Sequence, residues 1–289
     1  MKSGFVNIFG KPNAGKSTLL NALVGEKMAI VSSKVQTTRH RIKAFLTKTG
    51  EYQIIFSDTP GIIEPKYKLH ERMMQSVKTA LEDADVALLI ADARKEVKEN
   101  VELFNNLHLK VPSILLLNKI DKLKPNRVEE ITLAFEQSGS FKKIIPISAL
   151  NKINLDKLLE AILELLPENE PFYPEDELTD LPTKFFVSEI IREKTYELFE
   201  EEIPYQTAVI INEFKEKETL TKIQADIIVQ RESQKAILLG QGGQMIKKLG
   251  SLSRADIEKF LDRKIFLELF IKVKPKWRDN DFQLKEYGY

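Results

Sequence analysis

Short apolar runs alternate with helically spaced apolar positions through the first 166 residues. Phe5–Phe9 is a run of strand length, and Thr18–Val24 places its apolar residues at helical spacing. Ile42, Ala44 and Leu46 alternate with polar or basic residues, Gly50 marks a turn, and Tyr52–Phe56 follows, which predicts an antiparallel hairpin. Met73–Leu81 predicts a helix. Val86–Ile90 is unbroken and apolar, as expected of a strand buried on both faces of a parallel sheet. Val97–Leu107 then predicts a helix, Val111–Leu117 a second buried strand, Arg127–Gln137 a helix, Ile144–Ile147 a last strand and Leu155–Leu165 a closing helix. Residues 30–41 and 62–68 hold no sustained period and read as loops. Strands alternating with helices predict an α/β three-layer domain over residues 1–166, its sheet mostly parallel with one antiparallel strand.

The pattern changes after that. Residues 167–182 are rich in proline and acid and predict an extended linker. Over residues 183–289, Lys184–Ile191 reads as a strand and Glu193–Glu202 as an acidic helix. Gln206–Phe214 and Lys222–Arg231 alternate as two strands. The apolar stretch Ala236–Leu239 meets the glycine-rich Gly240–Gly250, residues 252–263 look helical, and Ile265–Val273 is a closing strand. The expected order is β-α-β-β-α-α-β, a smaller α+β domain.

A length of 289 residues suits two such domains. With no cysteine, disulfides, thiolate zinc sites and cysteine nucleophiles are excluded. The chain starts directly into a strand and its apolar runs are far too short to span a bilayer, so a soluble protein is expected. The net charge of +1 is uninformative, but its distribution is not. Residues 167–182 hold six acids and no base, whereas residues 235–278 hold 11 bases against four acids.

Candidate chemistry begins at Gly10-Lys11-Pro12-Asn13-Ala14-Gly15-Lys16-Ser17, with Thr18 next. A strand, a glycine loop and a helix N-terminus form an anion site, because the backbone N–H groups converge and the helix dipole adds partial positive charge. The spacing fits the phosphate-binding P-loop. Lys16 would reach the β- and γ-phosphates and the Ser17 hydroxyl would ligate Mg²⁺. Asp58-Thr59-Pro60-Gly61 ends the second hairpin strand. Alone it is an ordinary turn; after a P-loop it places Asp58 to hold Mg²⁺ and the Gly61 N–H to sense the γ-phosphate. Asn118-Lys119-Ile120-Asp121 selects the base. The Asp121 carboxylate can accept from guanine N1–H and N2–H₂, whereas adenine would leave it desolvated and unpaired. Lys119 can lay its aliphatic stem over the purine, Asn118 can tie this loop to the P-loop, and Ser148-Ala149 can offer a backbone N–H to guanine O6. Together these motifs predict GTP or GDP as ligand.

These motifs resemble the five of the translation-factor-like GTPases. The resemblance implies that a switch-I threonine reaches Mg²⁺ in the GTP state, Thr38 with Thr37 as the alternative. Lys16, Thr38 and Gly61 are then the residues that carry hydrolysis. Ras-type enzymes place a glutamine after D-x-x-G to orient water; here Ile62 stands there. His40 and His70 are read as surface histidines rather than replacement bases. The chain is similar to GTPases with a hydrophobic residue at that position, in some of which a P-loop asparagine, here Asn13, helps bind K⁺. Slow intrinsic hydrolysis is expected.

The second region has the layout of a KH domain, whose GXXG loop clamps a nucleic-acid backbone. Gly240, Gln241, Gly242 and Gly243 would form that loop, flanked by Lys247, Lys248, Lys272, Lys274 and Lys276 as phosphate partners. Trp277 can stack on a base or cover the core, and the core reading is preferred. A GTPase domain joined by an acidic linker to a KH-type domain resembles the bacterial Era family across essentially the whole chain. That resemblance implies a monomeric factor in small ribosomal subunit assembly, binding the 3′ end of 16S rRNA, cytoplasmic with peripheral inner-membrane association. Two rivals remain: a signalling GTPase whose basic domain binds protein or anionic lipid, and an RNA chaperone that functions without nucleotide.

Overall fold

In a computed structural model, which describes residues 1–32 and 34–289, the apolar runs of the first half assemble into one sheet. Its strands are β1 (Lys2–Phe9), β2 (Ile42–Lys48), β3 (Tyr52–Asp58), β4 (Val86–Asp92), β5 (Ser113–Asn118) and β6 (Ile144–Pro146), in the order β2-β3-β1-β4-β5-β6. Only β2 runs antiparallel to its neighbour. All of β4 is buried, which is why its sequence carries no alternation. The helices are α1 (Lys16–Val24), α2 (Lys68–Glu82), α3 (Val97–Asn105), α4 (Pro125–Gln137) and α5 (Leu155–Leu165). Phe9, Leu89, Leu115 and Leu117 pack against Val77, Ala80, Phe104, Ile131 and Phe135 in the core. The loops after β1, β3, β4, β5 and β6 leave from the strand ends where such sheets bind ligands.

The chain divides into two compact units, residues 1–64 with 73–180 and residues 65–72 with 181–289. Residues 167–180, whose acids and prolines suggest a linker, therefore belong to the first unit. They lie along the β2 edge. Phe45 N donates to Leu178 O at 2.8 Å, and Thr179 Oγ1 donates to Lys43 O at 2.7 Å. Tyr173 stacks on Phe45 with centroids 4.0 Å apart, and Asp180 pairs with Lys43 at 2.8 Å. Aromatic burial and satisfied edge groups outweigh the repulsion of like charges that an extended linker would exploit.

The second unit contains α6 (Thr183–Leu198), α7 (Ile203–Gln206), β7 (Ala208–Glu216), β8 (Thr221–Val229), α8 (Glu232–Leu239), α9 (Gln244–Leu261), β9 (Ile265–Val273) and α10 (Asp281–Glu286). The strands stand in the order β7-β8-β9, with β7–β8 antiparallel and β8–β9 parallel. Two element assignments are corrected. Lys184–Ile191 is not a strand but the first half of α6, and Glu193–Glu202 is not a separate helix. Val187 and Ile191, four residues apart, both enter the core with Ile223, Ala225, Ile227 and Leu249, which is helical spacing. Inside α6 the buried Arg192 makes two 2.6 Å hydrogen bonds to Glu189. His70, expected on the surface, is buried, with its ring 3.7 Å from that of Tyr67. Trp277 is fully buried and its Nε1 donates to Gln206 O at 3.0 Å, as the core reading anticipated.

Candidate nucleotide site and glycine loop

The turn from β1 into α1 is built on residues in the left-handed region, Asn13 at φ 59° and Gly15 at φ 105°. A Cβ on Gly15 would stand 2.1 Å from Asn118 Nδ2, so only glycine fits. Lys16, the first residue of α1, is buried beneath the loop and donates to Gly10 O at 3.2 Å and Lys11 O at 3.0 Å. Burial pushes its pKa down to about 8, with the nearby Asp58 carboxylate opposing the shift.

Ser17, Asp58 and Thr38, which come from α1, the end of β3 and the loop before β2, meet at one point. Ser17 Oγ donates to Asp58 Oδ2 at 2.6 Å, Thr38 Oγ1 donates to the same oxygen at 3.1 Å, and the two hydroxyls lie 2.8 Å apart. Thr37 instead donates to Lys34 O at 2.7 Å, so Thr38 is the threonine that joins the cluster. Asp58 is fully buried, and among the described residues its Oδ1 has no hydrogen-bond partner. Burial raises its pKa, against the pull of Lys16 and the two hydroxyls. A buried carboxylate with an orphaned oxygen beside two hydroxyls is a hard-oxygen donor set of the kind Mg²⁺ takes. Thr59 Oγ1 donates to Ile8 O at 2.6 Å and Pro60 is buried, so both shape the turn that carries Gly61 against Pro12.

The residues expected to read the base are mutually braced. Asn118 Nδ2 donates to Ala14 O at 2.8 Å, tying this loop to the P-loop, while Asn118 Oδ1 accepts from Ala149 N at 2.9 Å. Ser148 Oγ donates to Asp121 Oδ1 at 2.6 Å, and chiefly that bond holds the Asp121 carboxyl below the usual carboxylate range. The N–H groups of Ser148 and Ala149 are already engaged, with Ile153 O and Asn118, so a guanine O6 would share a donor rather than find an idle one. A cavity of about 600 Å³ is lined by Lys11–Thr18 together with Thr38, Gly61, Asp92 and Lys119.

In the second unit, α8 ends at Gly240 with φ 68° and ψ 177°, and Gly242 and Gly243 take φ 58° and 77° before α9 begins. A Cβ on either of the last two would meet nothing within 4 Å, so those glycines leave an open, approachable backbone. Gln241 is exposed at the tip, as are Lys247, Lys248, Lys274 and Lys276. Lys272 is different: its Nζ pairs at 2.5 Å with the buried Asp226.

Residues 5–119 match the family described as 50S ribosome-binding GTPase, and residues 202–278 match the KH domain. The whole chain is 44% identical to the GTPase Era of Clostridium botulinum (strain Alaska E43 / Type E3), spanning 98% of that protein. The identity to GTPase Era of Carboxydothermus hydrogenoformans is also 44%, over 100% of this chain and 98% of the relative. The chain belongs to the Era family of GTPases. Its fold agrees: an Aquifex aeolicus Era variant bound to GDP·AlF4⁻ superposes with a TM-score of 0.97 at 42% identity, covering 100% of this chain and 99% of that one. Era in complex with MgGDPNP and nucleotides 1506–1542 of 16S ribosomal RNA superposes with a TM-score of 0.96 at 43% identity and the same coverage.

One residue of this Era-family site escapes motif reading. Asp92 ends β4, where sheet register pairs it with Asn118. It accepts from Lys119 Nζ at 2.9 Å and from Arg94 Nη2 at 2.7 Å. An acidic residue closing an otherwise apolar strand was the only available sign. Ile62, in the place of the Ras-type glutamine, packs against the core, and its N–H donates to Gly10 O at 3.1 Å.

Proposed function

We propose that this chain binds GTP and GDP with Mg²⁺, hydrolyses GTP slowly, and uses the bound nucleotide to time its attachment to the 3′ end of 16S rRNA during small-subunit assembly. The observation that carries the reading is the convergence of Ser17, Thr38 and Asp58 beside the buried Lys16. Ser17, Thr38 and Asp58 would hold Mg²⁺, which when bound supplies positive charge to the β- and γ-phosphate oxygens. Lys16 and the loop Gly10–Ser17, followed by Thr18, cradle the phosphates. Gly61 presents its N–H to the γ-phosphate, and Asp121 with Lys119 reads guanine. The relatives solved with GDP·AlF4⁻ and with MgGDPNP support these roles.

Residues 1–166, with residues 167–180 closing the β2 edge, act as the GTPase domain and residues 183–289 as the RNA-binding domain. Gly240–Gly243 clamps the RNA backbone, and Lys247, Lys248, Lys274 and Lys276 neutralise its phosphates. The 16S rRNA nucleotides bound by the related Era support this choice of partner. Among the described residues no helix is long and apolar enough to cross a membrane. Association with the inner membrane is peripheral in this reading, and the chain works as a cytoplasmic monomer. The Ile62 side chain offers no polar atom to orient water, so in this reading turnover relies on Asn13 with K⁺ or on a partner. Replacing Asn13 by Gly removes the amide while tolerating the left-handed φ of 59°. This variant is expected to keep GDP binding and lose any advantage of K⁺ over Na⁺.

The deciding experiment titrates the full-length protein with an RNA of the 16S 3′-end sequence, in GTP-analogue and GDP states, over a range of salt. Binding that Gly242→Asp with Gly243→Asp abolishes supports the reading. Binding to anionic vesicles but not RNA would favour the signalling rival, and Lys16→Ala with undiminished function in cells would favour the nucleotide-independent chaperone.

A further inference from the structure

One side chain at the rim of the nucleotide site belongs to none of the five motifs. Arg94 follows β4 by two residues. Its backbone N and Nε donate to Asp92 Oδ1 at 3.1 and 2.9 Å, and its Nη2 donates to Oδ2 at 2.7 Å. The same Oδ2 accepts from Lys119 Nζ at 2.9 Å, and that ammonium also reaches Asn13 O at 2.5 Å. The arrangement follows from register: the parallel pairing of β4 with β5 sets Asp92 beside Asn118, one residue from Lys119.

Exposure grades along this relay. The Arg94 side chain is 46% exposed, Lys119 27% and Asp92 8%. A planar guanidinium grips both carboxylate oxygens and so fixes the carboxylate plane; an ammonium gripping one oxygen does not. Burial acts to raise the pKa of Asp92, yet the Arg94 and Lys119 hydrogen bonds outweigh it and hold the group ionised, well below the usual carboxylate range. Without the Arg94 guanidinium, the sheltered Asp92 carboxylate keeps only the backbone N–H of residue 94 on Oδ1 and Lys119 on Oδ2, and its plane is no longer fixed. The acceptor capacity the fork filled is then met either by turning outward to water or by drawing the Lys119 ammonium off Asn13. Both changes would move the Lys119 stem that, in the reading above, packs on the guanine base.

We propose that Arg94 is a positioning residue for nucleotide retention: it locks Asp92, Asp92 locks Lys119, and Lys119 holds the guanine base. The inference rests on the reading of Lys119 as a base-binding residue given above. It makes an exposed arginine outside the nucleotide motifs a determinant of how long GDP stays bound.

The test is the dissociation of a fluorescent GDP analogue, chased with unlabelled GDP, from the full-length protein with Mg²⁺. Arg94→Ala is expected to release GDP about tenfold faster with association changed by less than about twofold, since loss of one partner of a sheltered charge pair acts on the off-rate. Arg94→Lys is expected to fall between, because one ammonium cannot make the fork. Asp92→Asn keeps the shape and removes the charge, and is expected to match or exceed Arg94→Ala; it also serves if Arg94→Ala does not fold. In a Lys119→Ala background, Arg94→Ala is expected to add less than about twofold, a coupling that a merely structural role would not produce. Overturning results are an unchanged off-rate in Arg94→Ala or Asp92→Asn, or a full tenfold effect that persists without Lys119. If Lys119→Ala itself leaves GDP release unchanged, the base reading falls first and the relay with it. If only the Arg94 and Asp92 variants are silent, the relay alone is wrong.

Discussion

The amide of Asn118 fills the space that a side chain on Gly15 would need, 2.1 Å from an added Cβ. The base-reading loop and the phosphate loop therefore meet at one close approach, and neither can be adjusted alone. Gly15→Ala must move Asn118, and it must also hold a φ of 105° that alanine resists. GDP affinity is expected to fall about 100-fold or more, while far-ultraviolet circular dichroism stays close to that of the parent. Equilibrium binding of labelled GDP checks it.

Asp121 is braced at Oδ1 by Ser148, which leaves Oδ2 with Lys122 at 3.6 Å. Asp121→Asn turns an acceptor into a donor facing guanine N2–H₂. GDP binding is expected to weaken about 100-fold or more, and a xanthine nucleotide, which carries a carbonyl at that position, is expected to bind better than GDP. Competition between GDP and the xanthine nucleotide measures the exchange of preference. Ser148→Ala is expected to act in the same direction on GDP but by about tenfold, because it loosens the carboxylate without changing its chemistry.

Burial holds the Lys16 pKa down at about 8, against 10.5 when unperturbed. Between those values the unfolded chain holds more protons than the folded one, so stability of the ligand-free protein is expected to rise with pH from about 8 to about 10.5 from this group. Phosphate gives the ammonium a partner and raises its pKa again. Nucleotide binding above pH 8 is therefore expected to take up a proton and to weaken as pH rises. Calorimetry of GDP binding in buffers of different ionisation enthalpy reads the proton count, and Lys16→Met should abolish the uptake.

The lysines near the glycine loop divide by their partners. Lys247, Lys248, Lys274 and Lys276 form no ion pair among the described residues, whereas Lys272 is the cation of the buried Asp226. Alanine at any of the four is expected to lower the salt slope of single-stranded RNA binding by about 0.7 for each phosphate it no longer neutralises. Lys272→Ala is expected to leave the slope nearly unchanged and to cost about 1–3 kcal/mol of stability, because Asp226 remains sheltered without its partner. Filter binding across salt and thermal unfolding of the same variants separate the two effects.

Most of the first unit was readable because its strands are unbroken apolar runs and its motifs sit at strand ends. Val86–Ile90 could hardly be anything but a buried strand. The site was readable in its residue types but not in its second tier. Nothing in the sequence says that Asp92 rather than any other acid lies beside Lys119, since that is a matter of sheet register. The Thr37–Thr38 choice likewise required coordinates, as adjacent threonines point opposite ways only once the loop is folded. In the second unit Lys184–Ile191 misled because Phe185, Phe186, Val187, Ile190 and Ile191 are too dense in β-formers for local propensity to decide. Only the shared burial of Val187 and Ile191 reveals the helix. The glycine loop was legible through its neighbours rather than its own four residues.

The acidic stretch along β2 carries a consequence for how the first unit can be isolated. A fragment ending at Leu166 would lose Leu178 O as acceptor for Phe45 N and strip Tyr173 from the Phe45 ring. What remains is a seven-residue outer strand with open backbone groups and an uncovered aromatic side chain, a template for pairing with a second copy. Residues 167–180 cover that edge, and their presence is expected to keep the hairpin from seeding fibres or precipitates. A fragment ending after Asp180 should stay dispersed at concentrations where the shorter one associates.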